Sequence, residues 1–575
     1  MSRHLAALVT VLLTVLVTGC STVPSDSPTV AITQVASPPD PDVGIEARGP
    51  EEDAQPVDIV RGFLDAAASP VRGHPVAREF LAPEQRETWN DTSGITVISS
   101  VYVTRLVDGD RVSVSAPMVG TLDPRGRFSA TAGQQYTRTF ALEQVAGQWR
   151  ISTPPEGLVV LEPDFERTYK KLNAYYLDPT LSRVVPDPIF LVDGDGQPNS
   201  LVQRIIDGPS GPLAPGVVNA LAGAELNSNP SVSGQTVTID LTGVPNLSPD
   251  SLRGVSAQLV WSLSQLSLRS VEILLDGEPI DVPGIPPTQT VDDVARLDPD
   301  ASPEDAVGHY LVDGRVQTVD GSPVPGPAGT GVYGLVAAAV STDPRTGDLA
   351  TLVGVTGGPQ PALLAGPYGG DLGQVLTGAT FTRPTSFATR QEVWTVRNGT
   401  EVFRVPDGGT PQSVDPTTLP ALGRTTVLQL SPDGVRAAAV VQGPAGSQLV
   451  VGTVVRTDSA VSLQDLRPVD PSMTRVLDVT WRTSSTLMVL AGDPVDGRTG
   501  ISAVEVDGSA VTEVTSLGLL GEPTAIAAAP SRPPTAPRPP LVAAGGQLWQ
   551  LSGGRWISVL PEAGQVFGSA PFYPF

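Results

Sequence analysis

The C-terminal half of the chain repeats itself. The segments AAVSTDP, ATFTRPT, LQLSPDG, DVTWRTS and AAAPSRP follow one another at similar intervals. With Ser341, Thr382, Ser431, Trp481 and Pro530 as markers, the spacings are 41, 49, 50 and 49 residues. Two or three short alternating runs come after each marker. One is EVWTVRNGTEVFRV, whose Asn398-Gly399 suits a tight hairpin. LVAAGGQLWQLSGGRWISVL reads as two consecutive hairpins. A four-stranded unit of this length cannot cover its own apolar faces, and a ring of them can. The pattern therefore predicts an all-β propeller over residues 311–575. Five repeats are countable and a sixth, degenerate one is left open, so about five to six blades are expected. The strand around Val312 to Val319 is expected to close the ring against the C-terminal blade. SRPPTAPRPP at 531–540 reads as an exposed polyproline insertion or a docking ligand.

Two regions of mixed texture precede the array. In PVDIVRGFLDAAAS, the residues Ile59, Val60, Phe63, Leu64 and Ala67 fall at helical spacing behind a first-turn proline. A second short helix is read over Pro83 to Trp89. Alternating runs follow, separated by turns at Asp123-Pro124-Arg125-Gly126 and Ala146-Gly147. Helices and then a curled meander predict an α+β domain over 56–165. The order is similar to the cone of nuclear transport factor 2 (NTF2-like) relatives. Such cones hold a ligand or act as a rigid docking module, and no inward acid–histidine pair is apparent here.

Residues 166–285 predict an α/β domain. LNAYYLD and VVPDPIFLVD are strands, and the next helix carries Leu201, Val202, Ile205 and Ile206 on one face. TVTIDLTG is a strand. SPDSLRGVSAQLVWSLSQL is a helix with Ser248 as N-cap before Pro249, and with Leu252, Val255, Leu259, Val260, Leu263 and Leu266 inward. SVEILLDGEPI is the last strand. Residues 286–310, rich in proline and acid, read as a linker.

Two motifs in this region invite a ligand, and both fail on their chemistry. A calcium loop starting at Asp193 finds acceptors at Asp195 and Gln197. Pro198 then stands where glycine must turn, and Arg204 where a bidentate glutamate must bind. In DGPSGPLAP no lysine accompanies Gly208 or Gly211, and Pro209 and Pro212 remove two donors that a phosphate would need. These glycines are expected to be turns. The succession AYYLDP, RVVPDPIFLV, LVQRIIDGPSGPLAPGVVNAL, VTIDLTG and a long helix resembles a GerMN domain. That resemblance implies an extracytoplasmic scaffold or binding module without accepted catalytic residues.

The N-terminus supplies an address. Arg3 and His4 precede an apolar run, Leu5 to Val17, too short to span a bilayer. Val17-Thr18-Gly19-Cys20 follows and resembles the lipobox of bacterial lipoproteins. Residues 1–19 are thus expected to be a signal peptide, cleaved between Gly19 and Cys20, with Cys20 acylated. Cys20 is the only cysteine, so no disulfide can form within the chain. Residues 20–55, acidic and proline-rich, read as a tether. The net charge of −24 argues against nucleic acid and against electrostatic adhesion to anionic lipid. Attachment to the membrane is therefore expected through the acyl chains.

No catalytic, metal or cofactor set emerges. Beyond the signal, only His74 and His309 remain, too few for an ordinary zinc site or a histidine-based triad with an elbow serine. Convergent carboxylates in the propeller are the remaining enzymatic possibility, for a hydrolase or lyase. Ser431-Pro432-Asp433-Gly434, with Arg436 just beyond, resembles the blade turn of propellers of the periplasmic Tol system, where serine and aspartate brace the turn. The complete order of lipobox, tether, cone, GerMN-like domain and propeller resembles the LpqB lipoproteins of actinobacteria. That resemblance implies a non-enzymatic accessory protein of MtrA–MtrB two-component signalling, anchored on the outer face of the cell membrane. Its implied partner is the extracytoplasmic sensor part of an MtrB-like histidine kinase, acting in envelope homeostasis and cell division. A lipoprotein that binds wall glycan or peptide in its propeller mouth is the alternative.

Overall fold

The computed structural model describes residues 47–575 apart from 132, 247, 304–305, 408, 445, 494–496, 531–537 and 561–565. Gly19 and Cys20, with the signal and most of the expected tether, lie outside the described residues. The last tether residues are not free chain. Ala47 and Ala54 pack on the first domain's core, and Asp53 N–H donates to Gln148 Oε1 at 2.8 Å.

The first domain opens with helix α1 (Pro56–Ala67), which buries Ile59, Val60, Phe63, Leu64 and Ala67, the stripe its spacing predicts. Short helices α2 (Pro75–Glu79) and α3 (Pro83–Thr88) follow; only α3 is legible in the sequence. Seven strands come next: β1 (Ile95–Ile98), β2 (Val103–Asp108), β3 (Arg111–Leu122), β4 (Phe128–Ala130), β5 (Gln135–Val145), β6 (Gln148–Ile151) and β7 (Leu158–Leu161). They form a sheet in the order β6-β5-β3-β1-β7, with β2 and β4 also paired to β3. Strand β3 turns Val112, Val114 and Ala116 inward on alternate positions, against Phe63 and Phe140. Helices on a curled, mainly antiparallel sheet are the expected α+β arrangement.

Helix α4 (Glu162–Thr168) leads into the second domain. Strands β8 (Tyr169–Leu177) and β9 (Val184–Val192) pair with each other, and helix α5 (Gln197–Asp207) buries Leu201, Val202 and Ile205. Strand β10 (Thr236–Thr242) and strand β11 (Ser270–Leu275) run parallel, joined by helix α6 (Pro249–Leu263). Ser248 Oγ accepts from Ser251 N–H, as an N-cap should. Helix α6 is buried nearly all round, so its polar residues are internal bolts. Gln258 accepts from Ala220 N–H at 2.7 Å and donates to Tyr175 C=O at 3.0 Å, and Ser262 Oγ accepts from Tyr175 N–H.

The described part of the expected linker, 286–310, is a packed strap. Gln289 pairs with Val271 of β11, and Val294 and Leu297 enter the second domain's core. Further on, Asp300 Oδ1 accepts from Ser484 N–H at 2.7 Å, which ties the strap to the propeller.

Among the described residues the propeller has five four-stranded antiparallel blades and a sixth, three-stranded one. The first strands of the five are Leu335–Thr342, Thr385–Phe387, Arg424–Leu430, Val476–Trp481 and Pro523–Ala527, and they line the axis. Thr382 is no exit marker: it precedes the inner strand of its blade, Thr385–Phe387. The ring closes through His309–Val312, which pairs with Arg315–Thr318 on one side and with Ser569–Phe572 on the other. The C-terminal strand therefore supplies the sixth blade's inner position, and the closing partner is His309–Val312 rather than the run to Val319. Asn398 and Gly399 take φ of 55° and 80°, and Thr400 N–H closes that hairpin on Arg397 C=O. The polyproline segment 531–537 lies outside the described residues. Its end is not exposed: Arg538 is buried, with Nε donating to Ala306 C=O.

Candidate functional site at the three-domain junction

The motif that looked like a phosphate cradle is a docking platform. The Asp123–Gly126 turn of the first domain closes through Gly126 N–H to Asp123 C=O, with Asp123 Oδ1 accepting from Arg125 and Arg127 N–H. Gly126 (φ +81°) lies so close to β9 that a Cβ there would stand 2.6 Å from Phe190 O. Arg125 reaches over to cap the end of α5, donating to Asp207 C=O at 3.0 Å and Pro209 C=O at 3.3 Å. On the other side of the same loop, Thr453 of the third blade donates to Pro212 C=O at 2.9 Å.

The blade turn at Ser431 extends this junction. Ser431 Oγ donates to Asp433 Oδ1 and accepts from Arg436 N–H at 2.9 Å, while Asp433 Oδ1 also accepts from Val435 N–H. The expected bracing of turn to strand is what the residues do. Burial pushes the Asp433 carboxyl upward, with Arg436 opposing. The Arg436 side chain leaves the propeller and donates to Pro186 C=O of β9. Next to it, Asp187 is buried and receives both Ser210 N–H (2.7 Å) and Ser210 Oγ–H (2.9 Å). Burial raises this carboxyl as well, against those hydrogen bonds and Arg436.

Lys171 makes the third attachment. From β8 its Nζ donates to Glu505 Oε2 at 2.9 Å, Asp507 Oδ1 at 3.0 Å and Ser509 Oγ at 2.9 Å, all in the fourth blade. One lysine thus satisfies three acceptors across a domain boundary. Sequence reading had no means of choosing this residue; its only signal is that Lys170 and Lys171 are the sole lysines of the chain. Among these attachments lies a cavity of about 330 Å³, lined by all three domains, with Arg127, Asp187, Arg436, Asp465, Arg467 and Asp507 in its wall.

The propeller axis is different. Its cavity of about 30 Å³ has room for a water or two. Arg383 is held in its wall by Asp478, at 3.1 and 3.2 Å, and Phe575 seals it from the C-terminus, with Thr342 N–H donating to Phe575 C=O. None of the described residues lining it is acidic, so convergent carboxylates do not meet there.

Both described histidines are structural. His309 is buried in the closing blade between Val307 C=O and Tyr368 Oη, stacked on Phe572, and burial pushes its imidazole down to about 4. His74 does meet an acid, which sequence reading missed: Nδ1 lies 2.8 Å from Asp91 Oδ2, and Arg78 binds the other oxygen at 3.0 Å. Arg78 also donates to Trp89 C=O, so the pair latches α2 to the segment before β1. Asp193 lies 3.9 Å from Lys170. Among the described residues no group of three or more His, Cys, Asp or Glu is placed to hold a metal ion, and no helix is long and apolar enough to cross a membrane.

Comparison with known proteins gives three adjoining matches. Residues 49–166 match the family described as "Lipoprotein LpqB, N-terminal domain", 173–281 the family "Sporulation and spore germination", and 311–574 the "Lipoprotein LpqB beta-propeller domain". A relative from Rhodococcus opacus, named Lipoprotein LpqB, is 33% identical over 558 residues, covering 91% of each chain. Another so named, from Mycolicibacterium smegmatis, is 32% identical over 605 residues and covers 100% of both. Among solved structures, TolB from Acinetobacter baumannii is similar over 48% of this chain and 68% of its own, at 10% identity and a TM-score of 0.31.

Proposed function

The chain belongs to the LpqB lipoprotein family, and from that premise we propose that it is a lipid-anchored, extracytoplasmic accessory protein that binds and modulates a sensor histidine kinase of the MtrA–MtrB type. Acylation is assigned to Cys20, after cleavage behind Gly19. The observation that carries this reading is the junction itself. Arg125, Arg436 and Lys171 fasten three domains into one body, while the propeller axis leaves a cavity of only about 30 Å³. A protein built in this way offers shaped outer surfaces rather than a reactive cleft, which suits docking on a receptor domain and supports a non-catalytic role. An axial cavity with room for only a water or two also speaks against a wall glycan gripped in the propeller mouth.

The test is crosslinking in living cells, with partners identified by mass spectrometry, for the wild type and Cys20→Ala. The expected result is a crosslink between the propeller or junction surface and the outer part of a membrane histidine kinase, lost or much reduced when Cys20→Ala frees the protein from the membrane. Crosslinks to wall material alone, or an unchanged membrane-bound fraction in Cys20→Ala, would contradict the proposal.

A further inference from the structure

The wall of the junction cavity carries both unanswered donors and unanswered acceptors. Arg436 is more than nine-tenths buried and its Nη1 has no hydrogen-bond partner. Arg127 is half-buried and partly desolvated; its guanidinium makes no hydrogen bond or ion pair among the described residues, with like-charged Arg467 acting on it against the carboxylates of Asp187, Asp465 and Asp123. On the acceptor side, Asp465 spends Oδ1 on Arg467 and Asp507 spends Oδ1 on Lys171 and Ser509. The Oδ2 of each is buried without a partner. Buried polar atoms are almost always satisfied, so three unsatisfied ones on residues around one space of about 330 Å³, with Arg127 beside them, call for an occupant.

The signs of those groups select the occupant. A simple anion would answer Arg127 and Arg436 but add negative charge beside Asp465 and Asp507. A simple cation would do the reverse. A molecule bearing both charges answers both sides, and the space is at the small end of the range for ligand pockets. We infer that the junction cavity binds a small zwitterion of amino-acid to short-peptide size, its carboxylate on Arg127 and Arg436 and its ammonium towards Asp465 and Asp507. Since all three domains contribute to the wall, occupancy stabilises their docked arrangement by linkage. The site rests on the cavity alone, so its failure leaves the kinase reading standing, and the reverse holds too.

The experiment is calorimetric titration of the full chain in detergent micelles with alanylalanine, alanine, inorganic phosphate and methylamine. Saturable binding of alanylalanine or alanine is expected, at least tenfold tighter than phosphate or methylamine. Arg127→Gln should weaken it at least tenfold. That side chain makes no hydrogen bond or ion pair among the described residues, so the variant is expected to melt as the wild type does. Should it misfold, Asp465→Asn provides the same test from the ammonium side. Phosphate binding as tightly as the dipeptide would make this an anion site and overturn the inference. So would the absence of binding by every probe, leaving a cavity filled by water only, or an unchanged affinity in the folded variant.

Discussion

Lys171 lies at the boundary of two domains, and its three acceptors are all on the far side. Its side chain is 24% exposed and that of Asp507 only 6%, so the pair is partly shielded from water and salt. Replacing it by Gln removes the charge that neutralises Glu505 and Asp507 and leaves Asp507 desolvated. Lys171→Gln is expected to lower stability by about 2 kcal/mol, between the values for exposed and buried pairs. Denaturant unfolding checks this, and a loss below about 0.5 kcal/mol would make the bridge ornamental. Asp300, in the strap, gives a pH signature. Burial pushes its carboxyl up to about 6, opposed by the Ser484 hydrogen bonds and aided by Asp298 and Asp433. The folded state therefore holds this proton more tightly than the unfolded one. The contribution is fully present below about pH 3.9 and is lost as pH rises through 6. Asp300→Asn keeps an oxygen for Ser484 N–H but cannot titrate. Relative to wild type it should gain about 2 kcal/mol between pH 4.5 and 7.5, read from urea unfolding at both values. A constant difference across that range would contradict the assignment. His309, pushed down to about 4, acts in the opposite sense: its contribution is present above about pH 6.5 and lost as pH falls through 4. It cancels from the comparison because both proteins carry it.

Among the elements, the sixth blade is the one that holds the ring shut. Its inner strand, Ser569–Phe572, is followed by Tyr573, whose Oη donates to Pro539 C=O, and by Phe575, bonded to Thr342 and Val340. Removing residues 569–575 should leave His309–Val312 with an open edge and expose Tyr310 and Leu311, which share cores with Tyr573 and Phe572. Limited proteolysis of that truncated chain should cut early near 309–318, and resistance equal to wild type would contradict the closure. The five four-stranded blades were legible because such a unit imposes its own length on the sequence, and the Asn398-Gly399 and Gly545-Gly546 turns mark its hairpins; the total number was not. The make-up of the sixth blade was hidden, since its strands come from opposite ends of the region and no period joins them. The stripe of α1 and the cap of α6 were equally plain, being local. Gln258 and Ser262 were not, because burial of a polar side chain depends on partners that helical spacing cannot name. The strap at 286–310 misled for the same reason: proline and acid mark it as open chain, while Val294 and Leu297 anchor it.

Over the whole molecule, the lock between domains was the least legible part, since each contact joins residues distant in sequence. Phe190 on Gly126, Pro186 on Arg436 and Glu505 on Lys171 become neighbours only once every domain has folded. Arginines and lysine do much of the fastening in a chain of net charge −24, and several of their acceptors are backbone carbonyls rather than acids. Such bonds keep the domains fixed without consuming the acidic surface. The direct test is a distance measured between domains. Cys20 is the only native cysteine, so in Cys20→Ala paired labels at Arg105→Cys and Asp458→Cys, both exposed, report the first domain against the third blade. Pulsed electron spin resonance should give one narrow distance distribution, broadened when Lys171→Gln is added. A broad or multiple distribution in the otherwise unaltered protein would show independent domains and contradict the locked body.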